Sequence, residues 1–453
     1  MPKTFLEAKH NRMELRSESE RNVRWFIVFR VLFNARFYYP VMAILFLDLG
    51  LSLSQYALLN VAWAAAIVLL EVPSGALADL VGRKRLVVFA ACLMVLEMAV
   101  FAFTPTDNIT LLFWLFFLNR VISGSAEACA SGADEALVYD SLKAAGRESE
   151  WPRVLERLAR WQSGGFFVAM IVGAAVYDPT LVTRVLHFIG SPLTFTKADT
   201  VRWPVYLTLA TSLVTVLAAF RLQEAPLIRH AEVSVGAAFG NVMSAGRWIW
   251  ASPLALFVLA ATVCNDSFIR LFLTIGSQYY RLIHLPDASF GLIGSGFALL
   301  GYMAPPLAKR LIARENPVQA FAWVSIASFL GLIGLAFVIP YVGLLFPLIL
   351  GLAMSVLNFL TSYYLNQAAD PARRATILSF RGLATNLAYG SAGLLFAGLL
   401  KGLKSTNSAA TPNALFVSAL SWLPWIFGAL AIGMLVRLGR GVSPGSAGGS
   451  PAE

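Results

Sequence analysis

The 453 residues are 58% hydrophobic and 13% charged, about half the charged fraction of an ordinary soluble domain, which is roughly 25%. With a mean hydropathy of +0.69, that excludes a water-soluble globular protein, because this much apolar surface cannot be hidden from water. A net charge of +10 would suit nucleic acid, but the cations sit between apolar runs and no basic–aromatic patch or known binding module occurs; the charge reads as topogenic, with no nucleic-acid partner.

Residues 1–22 are polar and charged and lack the early apolar core of a cleaved signal peptide, so they read as a cytoplasmic lead-in. Apolar runs follow at 23–49, 55–78, 86–103, 109–142, 161–177, 203–222, 253–280, 289–312, 318–339, 344–366, 375–400 and 414–438. In lipid the backbone must satisfy its own polar groups, so runs of about 20 apolar residues imply spanning helices. The fold expected is an all-α integral membrane protein of about twelve transmembrane helices. The fourth run is too long for the hydrocarbon alone, and residues 133–143 are expected to project into the cytoplasmic interface.

Lys and Arg are retained on the cytoplasmic side. The connections holding Arg83, Lys84 and Arg85, then Lys143, Arg147, Arg153, Arg157 and Arg160, alternate with connections holding little more than Arg202, Arg281 and Lys401. A bias of roughly four to one predicts both termini inside. Residues 223–252 are the longest cytoplasmic connection and amphipathic. They read as a linker between two six-helix bundles, 23–222 and 253–438, and the Gly/Ser/Pro-rich tail 439–453 reads as disordered. The end of the second run, Pro73-Ser-Gly-Ala-Leu-Ala-Asp-Leu, has a weak echo in Pro305-Pro-Leu-Ala-Lys-Arg-Leu, as parallel repeats would give.

Several functions are disfavoured by what the chain lacks. No phosphate loop of the Gly-x-x-x-x-Gly-Lys-[Ser/Thr] type occurs, so direct ATP drive is not expected. Gly-Val-Ser-Pro-Gly at 441–445 lies in the tail, without the strand and helix of a hydrolase elbow; an enzyme is not expected. Cys92, Cys129 and Cys264 fall inside apolar runs and read as reduced packing residues. His10, His187, His230 and His284 have no metal spacing. No cofactor or metal is expected.

Charges inside the spans carry the functional reading, because an ionisable residue in lipid faces a bundle interior or an aqueous cavity. In the first run Arg36 lies in Asn34-Ala-Arg-Phe-Tyr38-Tyr-Pro40, where Pro40 can open backbone groups. Asn34 and Tyr38, one helical turn apart, are expected to line a cavity with Arg36; the alternative is an arginine paired to a neighbouring helix or snorkelling. In the fourth run Arg120, Glu127 and Asp134 are seven residues apart and predicted to share one face, as a proton site or as a structural network. In the seventh, Asp266 and Arg270 are an i, i+4 pair beside Asn265. Either they form a static bridge, or Asp266 takes a proton and Arg270 is released to substrate. Glu71, before Pro73, reads as structural; the sequence assigns Glu97 no role. Asn358, Tyr363, Tyr364, Asn386 and Tyr389 are polar groups in spans, suited to a cavity or to helix–helix hydrogen bonds.

The most specific signal is Gly75-Ala-Leu-Ala-Asp79-Leu-Val-Gly82-Arg83-Lys84-Arg85. Its glycines allow a tight turn and close helix approach, and Asp79 can accept from a helix N-terminus. Its Gly-x-x-x-Asp-x-x-Gly-Arg-Lys spacing resembles the loop between the second and third spans of the major facilitator superfamily. The resemblance covers span count, two halves and inner termini as well, and residues 123–142 with the following basic loop look like a poorly characterised bacterial branch. It implies a multi-pass secondary transporter of the bacterial inner (plasma) membrane, monomeric, working by alternating access with a small-molecule substrate and protons. In the family, an arginine equivalent to Arg83 pairs with an acid at the end of the fourth span, here Asp140, and latches the amino-terminal bundle. Arg120-Val-Ile-Ser-Gly124 resembles the Arg-x-x-x-Gly pattern whose arginine is linked there to proton coupling; of the intramembrane carboxylates, Glu127 or Asp266 is the expected proton site, with Arg120 tuning it. Gly165, Ala169 and Gly173, at four-residue spacing, give the fifth run a smooth face for close packing; Gly164 and Gly173 match the early spacing of the family's antiporter motif, but the Gly-Pro that ends it is absent. Proton-coupled efflux of a small organic compound is the leading expectation; the alternative is proton-coupled uptake of a nutrient or organic anion, for which Arg36, Arg120 and Arg270 would be suited.

Overall fold

The computed structural model describes residues 2–224, 235–369 and 374–442; the side chains of 2–12 and of a few other helical positions, Asp79 among them, lie outside the description. The tail beyond 442 and linker residues 225–234 therefore fall outside it as well. Among the described residues there are seventeen α-helices and no strand. They form eleven stretches long and apolar enough to cross a membrane, some joining two consecutive helices, and a twelfth crossing exists if one pair of helices bent by 87° counts as a single span.

The chain divides into two compact units. Unit 1 comprises Met1–Pro40 and Ala65–Ala238. It holds α1 (Pro2–Asn34), the second half of the helix Leu53–Val81, then Arg83–Phe103, Ile109–Ala130, Ala133–Ala144, Trp151–Tyr177, Pro179–Phe188, Lys197–Thr200 and Trp203–Arg221. Unit 2 comprises Val41–Ala64 and Phe239–Glu453. It holds Met42–Asp48, which is α2, and the first half of Leu53–Val81, α3. Numbering then runs through unit 1 as α4 to α10 and resumes with α11 (Val235–Ala251), α12 (Pro253–Leu282), α13 (Phe290–Arg314), α14 (Pro317–Leu335), α15 (Leu345–Ala368), α16 (Arg374–Thr406) and α17 (Pro412–Gly439).

Helix ends follow local chemistry. Asn108 caps α5 by accepting from the backbone N–H groups of Thr110 and Leu111, Ser252 accepts from Ala255 at the start of α12, and Asn316 forms a capping box with Gln319 on α14. Two of the long apolar runs are broken. The first stops at Asn34 and resumes at Met42 after an irregular turn. Pro40 lacks an N–H and disfavours helix for the residue before it, so Asn34 and Tyr38 do not share a helical face as predicted. The fourth run breaks at Gly132, which adopts φ +77°, a conformation that favours glycine. Asp134 therefore sits on α6, not on the helix that carries Arg120 and Glu127.

In lipid, helices gain little by hiding apolar surface from one another; close packing and buried hydrogen bonds hold them together. In unit 1, Phe26, Phe29 and Phe33 of α1, Ala90, Ala91 and Met94 of α4, and Ala126 and Ala130 of α5 are buried in one apolar cluster. The smooth face of α7 is used as expected. A Cβ added at Gly173 would lie 1.7 Å from the carbonyl oxygen of Phe37, whereas one at Gly164 would meet nothing within 4 Å. Gly173→Ala should therefore destabilise the protein by about 1–3 kcal/mol or more, seen as a lower thermal unfolding midpoint in detergent, while Gly164→Ala should show no loss. Equal midpoints for the two variants would refute this account of α7.

Candidate functional site

Charge gathers in three clusters, two in unit 1 and one in unit 2. The first is the turn between α3 and α4. Gly82 makes the turn with φ +99°. Its neighbour Arg83 reaches α6, where its guanidinium pairs with Asp140 and donates to the Ala136 carbonyl at 3.0 Å. The acceptor at the N-terminus of α4 is Glu224, whose carboxylate takes the N–H groups of Arg83 (3.1 Å) and Lys84 (2.9 Å); an acid there also complements the helix dipole. The side chain of Asp79, expected in that role, lies outside the description. Gly75 is not part of the turn: it lies inside α3, and a Cβ there would meet nothing within 4 Å.

The second cluster is within the spans of unit 1. Arg36 is 3% exposed and Glu97 is fully buried, and the two form an ion pair. The same guanidinium donates to the Tyr38 hydroxyl at 3.1 Å, and Asn119 donates to the Glu97 carbonyl at 2.6 Å. Of the two readings left by the sequence, Arg36 takes the one paired to a neighbouring helix. Asn34 turns back to the Arg30 carbonyl of its own helix at 2.9 Å. Asp134 is also fully buried and lies 2.7 Å from Arg30 Nε, with its other oxygen accepting from the Glu135 N–H at 2.7 Å. Arg120 is buried. Glu127 is half-buried on α5 and close enough to act electrostatically on Arg36, Glu71 and Asp134, yet its carboxylate makes no hydrogen bond or ion pair among the described residues.

The third cluster is in unit 2. Arg270 Nη2 lies 2.7–2.8 Å from both carboxylate oxygens of Asp266, and Nη1 donates to Asn386 Oδ1 at 2.9 Å. The Tyr389 ring lies 5.4 Å from the Arg270 guanidinium carbon, and its hydroxyl is 3.1 Å from Thr274 Oγ1. Arg381 on α16 is bound to Asn358 at 2.7 Å and is near enough to act on both Asp266 and Arg270. Asn265 does not join them. Its amide bonds Ala261 and Ser325, and its oxygen accepts from Ser328 at 2.9 Å, so it ties α12 to α14.

Glu224, Arg30, Arg381 and Arg281 take part without any signal in the sequence that marks them. Arg30 and Arg381 lie near the ends of runs, where a basic residue reads as topogenic. Arg281 was placed among the outer-facing charges without a partner; it grips Asp48 of α2 at 2.6 and 2.7 Å and also Asp287, at 2.7 Å. Only an acid far along the chain identifies such a pair, and spacing carries no trace of it. Outside the spans, the guanidinium of Arg147 is pushed to higher pKa, first by its hydrogen bonds to Glu150 and then by the charges of Glu150 and Glu20. Among the described residues no group of His, Cys, Asp and Glu could hold a metal.

Comparison with known proteins adds the following. A family model described as Major Facilitator Superfamily matches residues 24–393. No curated protein matches the chain by sequence. Among solved structures, a mutant of the nucleoside transporter NupG superposes with a TM-score of 0.70 at 14% identity, covering 93% of this chain and 99% of that one. A bacterial homologue of the human lysosomal transporter Spinster, inward-facing and occupied, gives 0.66 at 15% identity over 96% and 98%. A D-xylose–proton symporter gives 0.66 at 13% identity over 95% and 99%. At these identities the likeness is one of fold.

Proposed function

The chain belongs to the major facilitator superfamily, and on that premise we propose that it takes up a small organic anion together with protons, by alternating access, across a bacterial plasma membrane. Two six-helix bundles, 23–222 and 253–438, carry the movement, with both termini inside. The observation behind the choice of substrate and direction is the unit 2 cluster, where one buried carboxylate, Asp266, serves two guanidinium groups, Arg270 and Arg381. A proton on Asp266 removes the counter-charge of Arg270, and an anion on Arg270 replaces it. Each ligand therefore favours the other, and such positive coupling is reciprocal. Ligands that bind together travel together, so the arrangement favours symport over exchange. That turns the expectation from efflux to uptake. Fold kinship with a D-xylose–proton symporter is consistent with the mode of coupling and says nothing of the solute.

The test is direction. Proteoliposomes holding the purified chain and a trapped pH dye are exposed to a library of carboxylates, phosphates, sugars and organic cations, with the pH gradient imposed either way. Anion accumulation toward the alkaline side, with acidification of that compartment, is the expected result. Accumulation of a cation or neutral compound toward the acidic side would replace this reading with efflux by antiport.

The Arg83–Asp140 pair supplies the latch. Arg83→Asp and Asp140→Arg should each lower transport about tenfold or more, the equivalent of about 1.4 kcal/mol between conformations. The double reversal should recover part of the rate. No recovery in the doubly reversed chain would remove the pair from the mechanism.

A further inference from the structure

Unit 1 holds a polar cavity, away from the intramembrane charges, at the end of α1 and α7 that the charge bias marks as cytoplasmic. Its volume is about 390 Å³. Four arginines, Arg24, Arg147, Arg153 and Arg157, line it against two glutamates, Glu20 and Glu150, an excess of two positive charges. Its floor is apolar, with Val23, Leu142 and Val154 buried beneath the charged rim.

The two acids are already committed. Arg147 takes both oxygens of Glu150 in a forked pair, 2.8 Å each, and reaches Glu20 at 3.1 Å. Glu20 is also 3.6 Å from Arg16. That leaves Arg24, Arg153 and Arg157, whose guanidinium groups make no hydrogen bond or ion pair with a described residue, although Arg153 lies within electrostatic reach of Glu150. Arg153 and Arg157 are one helical turn apart on α7, a spacing at which like charges repel. Topology alone requires positive residues on the inner side but not their convergence on one hollow.

We propose that this cavity binds a phosphate-bearing anion, whose oxygens bridge Arg153 and Arg157 of α7 to Arg24 of α1. Guanidinium forks match phosphate oxygens in geometry as well as charge, and the volume admits a phosphate with a glycerol-sized substituent. Two sources present that chemistry at the inner face: the headgroup of an anionic phospholipid, whose acyl chains would lie in the adjoining bilayer, and a free phosphate or phosphate ester. The site is separate from the transport clusters and stands whether or not the solute reading holds.

The purified full chain, the variant Arg153→Gln/Arg157→Gln and a charge-matched control, Arg437→Gln/Arg440→Gln, are compared by thermal unfolding in detergent. Each is titrated with inorganic phosphate at constant ionic strength, and separately with micelles containing phosphatidylglycerol or phosphatidylcholine. The expected result is stabilisation of the unaltered chain and the control, with the apparent affinity at least about tenfold weaker in the cavity variant. Response to phosphatidylglycerol alone assigns a lipid headgroup; response to inorganic phosphate assigns a free anion. If all three proteins respond alike, or none responds, the cavity is not an anion site. All the altered arginines are exposed, so the variants are expected to fold.

Discussion

Glu97→Leu is expected to cost about 3–5 kcal/mol of stability and to leave little monodisperse protein after extraction. The reason is what remains. Arg36 is 3% exposed, and with Glu97 gone its charge keeps only the Tyr38 hydroxyl as a hydrogen-bonding partner among the contacts described above. A buried guanidinium without a counter-charge is the costly half of a broken pair, whereas an apolar replacement of both partners is often near neutral. Arg36→Leu/Glu97→Leu should therefore unfold at a higher temperature than Glu97→Leu alone. Glu127 could take over part of the charge, since it acts on Arg36 without pairing with it; adding Glu127→Gln to Glu97→Leu should then deepen the loss. As a contrast, the exposed pair Arg160–Glu156, with side chains 74% and 65% accessible, should be worth no more than about 1 kcal/mol. Unfolding midpoints of the purified variants decide the matter: a double variant no more stable than Glu97→Leu would mean that Arg36 and Glu97 do not act as a unit.

What the sequence revealed follows from the range of the interactions involved. Long apolar runs and the bias of Lys and Arg are local or additive signals, so the helices and the basic loops stood out. The Gly82–Arg83 turn was legible because a positive φ demands a particular residue at a particular place. Asp140 as its partner came from resemblance to a family, and the structure supplies the ion pair. Periodicity misled where the helix did not continue: 3.6-residue reasoning placed Asn34 beside Tyr38 and Asp134 below Glu127, but Pro40 and Gly132 interrupt both runs. Glu97 had no reading because its partner, Arg36, is 61 residues away and nothing in either neighbourhood encodes the match. The same holds for Arg281 with Asp48. Asn265 shows the reverse error: a polar residue next to a charged pair belongs to a helix–helix contact, as hydrogen bonding within membranes often requires.

Asp266→Asn should abolish accumulation driven by a pH gradient while leaving exchange of solute across the membrane intact. Asparagine keeps the size of the side chain and an acceptor for Arg270, but it has no charge to lose. If Asp266 carries the proton, the variant resembles the protonated state at every pH: Arg270 is permanently released, and solute binding no longer depends on protons. The energy at stake is that of the gradient itself, because uncoupling leaves only equilibration. Glu127→Gln is the parallel experiment in unit 1, where a half-buried carboxylate has no ion-pair partner among the described residues and lies within electrostatic reach of Arg36, Glu71 and Asp134. Both variants are measured in the same vesicles, first with an imposed gradient and then with labelled solute on both sides and no gradient. Loss of accumulation with retained exchange in one variant assigns the proton to that residue. Loss of both in Asp266→Asn would assign Asp266 to holding Arg270 in place, and the static bridge would be the correct reading. Full gradient-driven accumulation in both variants would remove Glu127 and Asp266 from coupling altogether, and with them the argument that a shared counter-charge joins proton and anion.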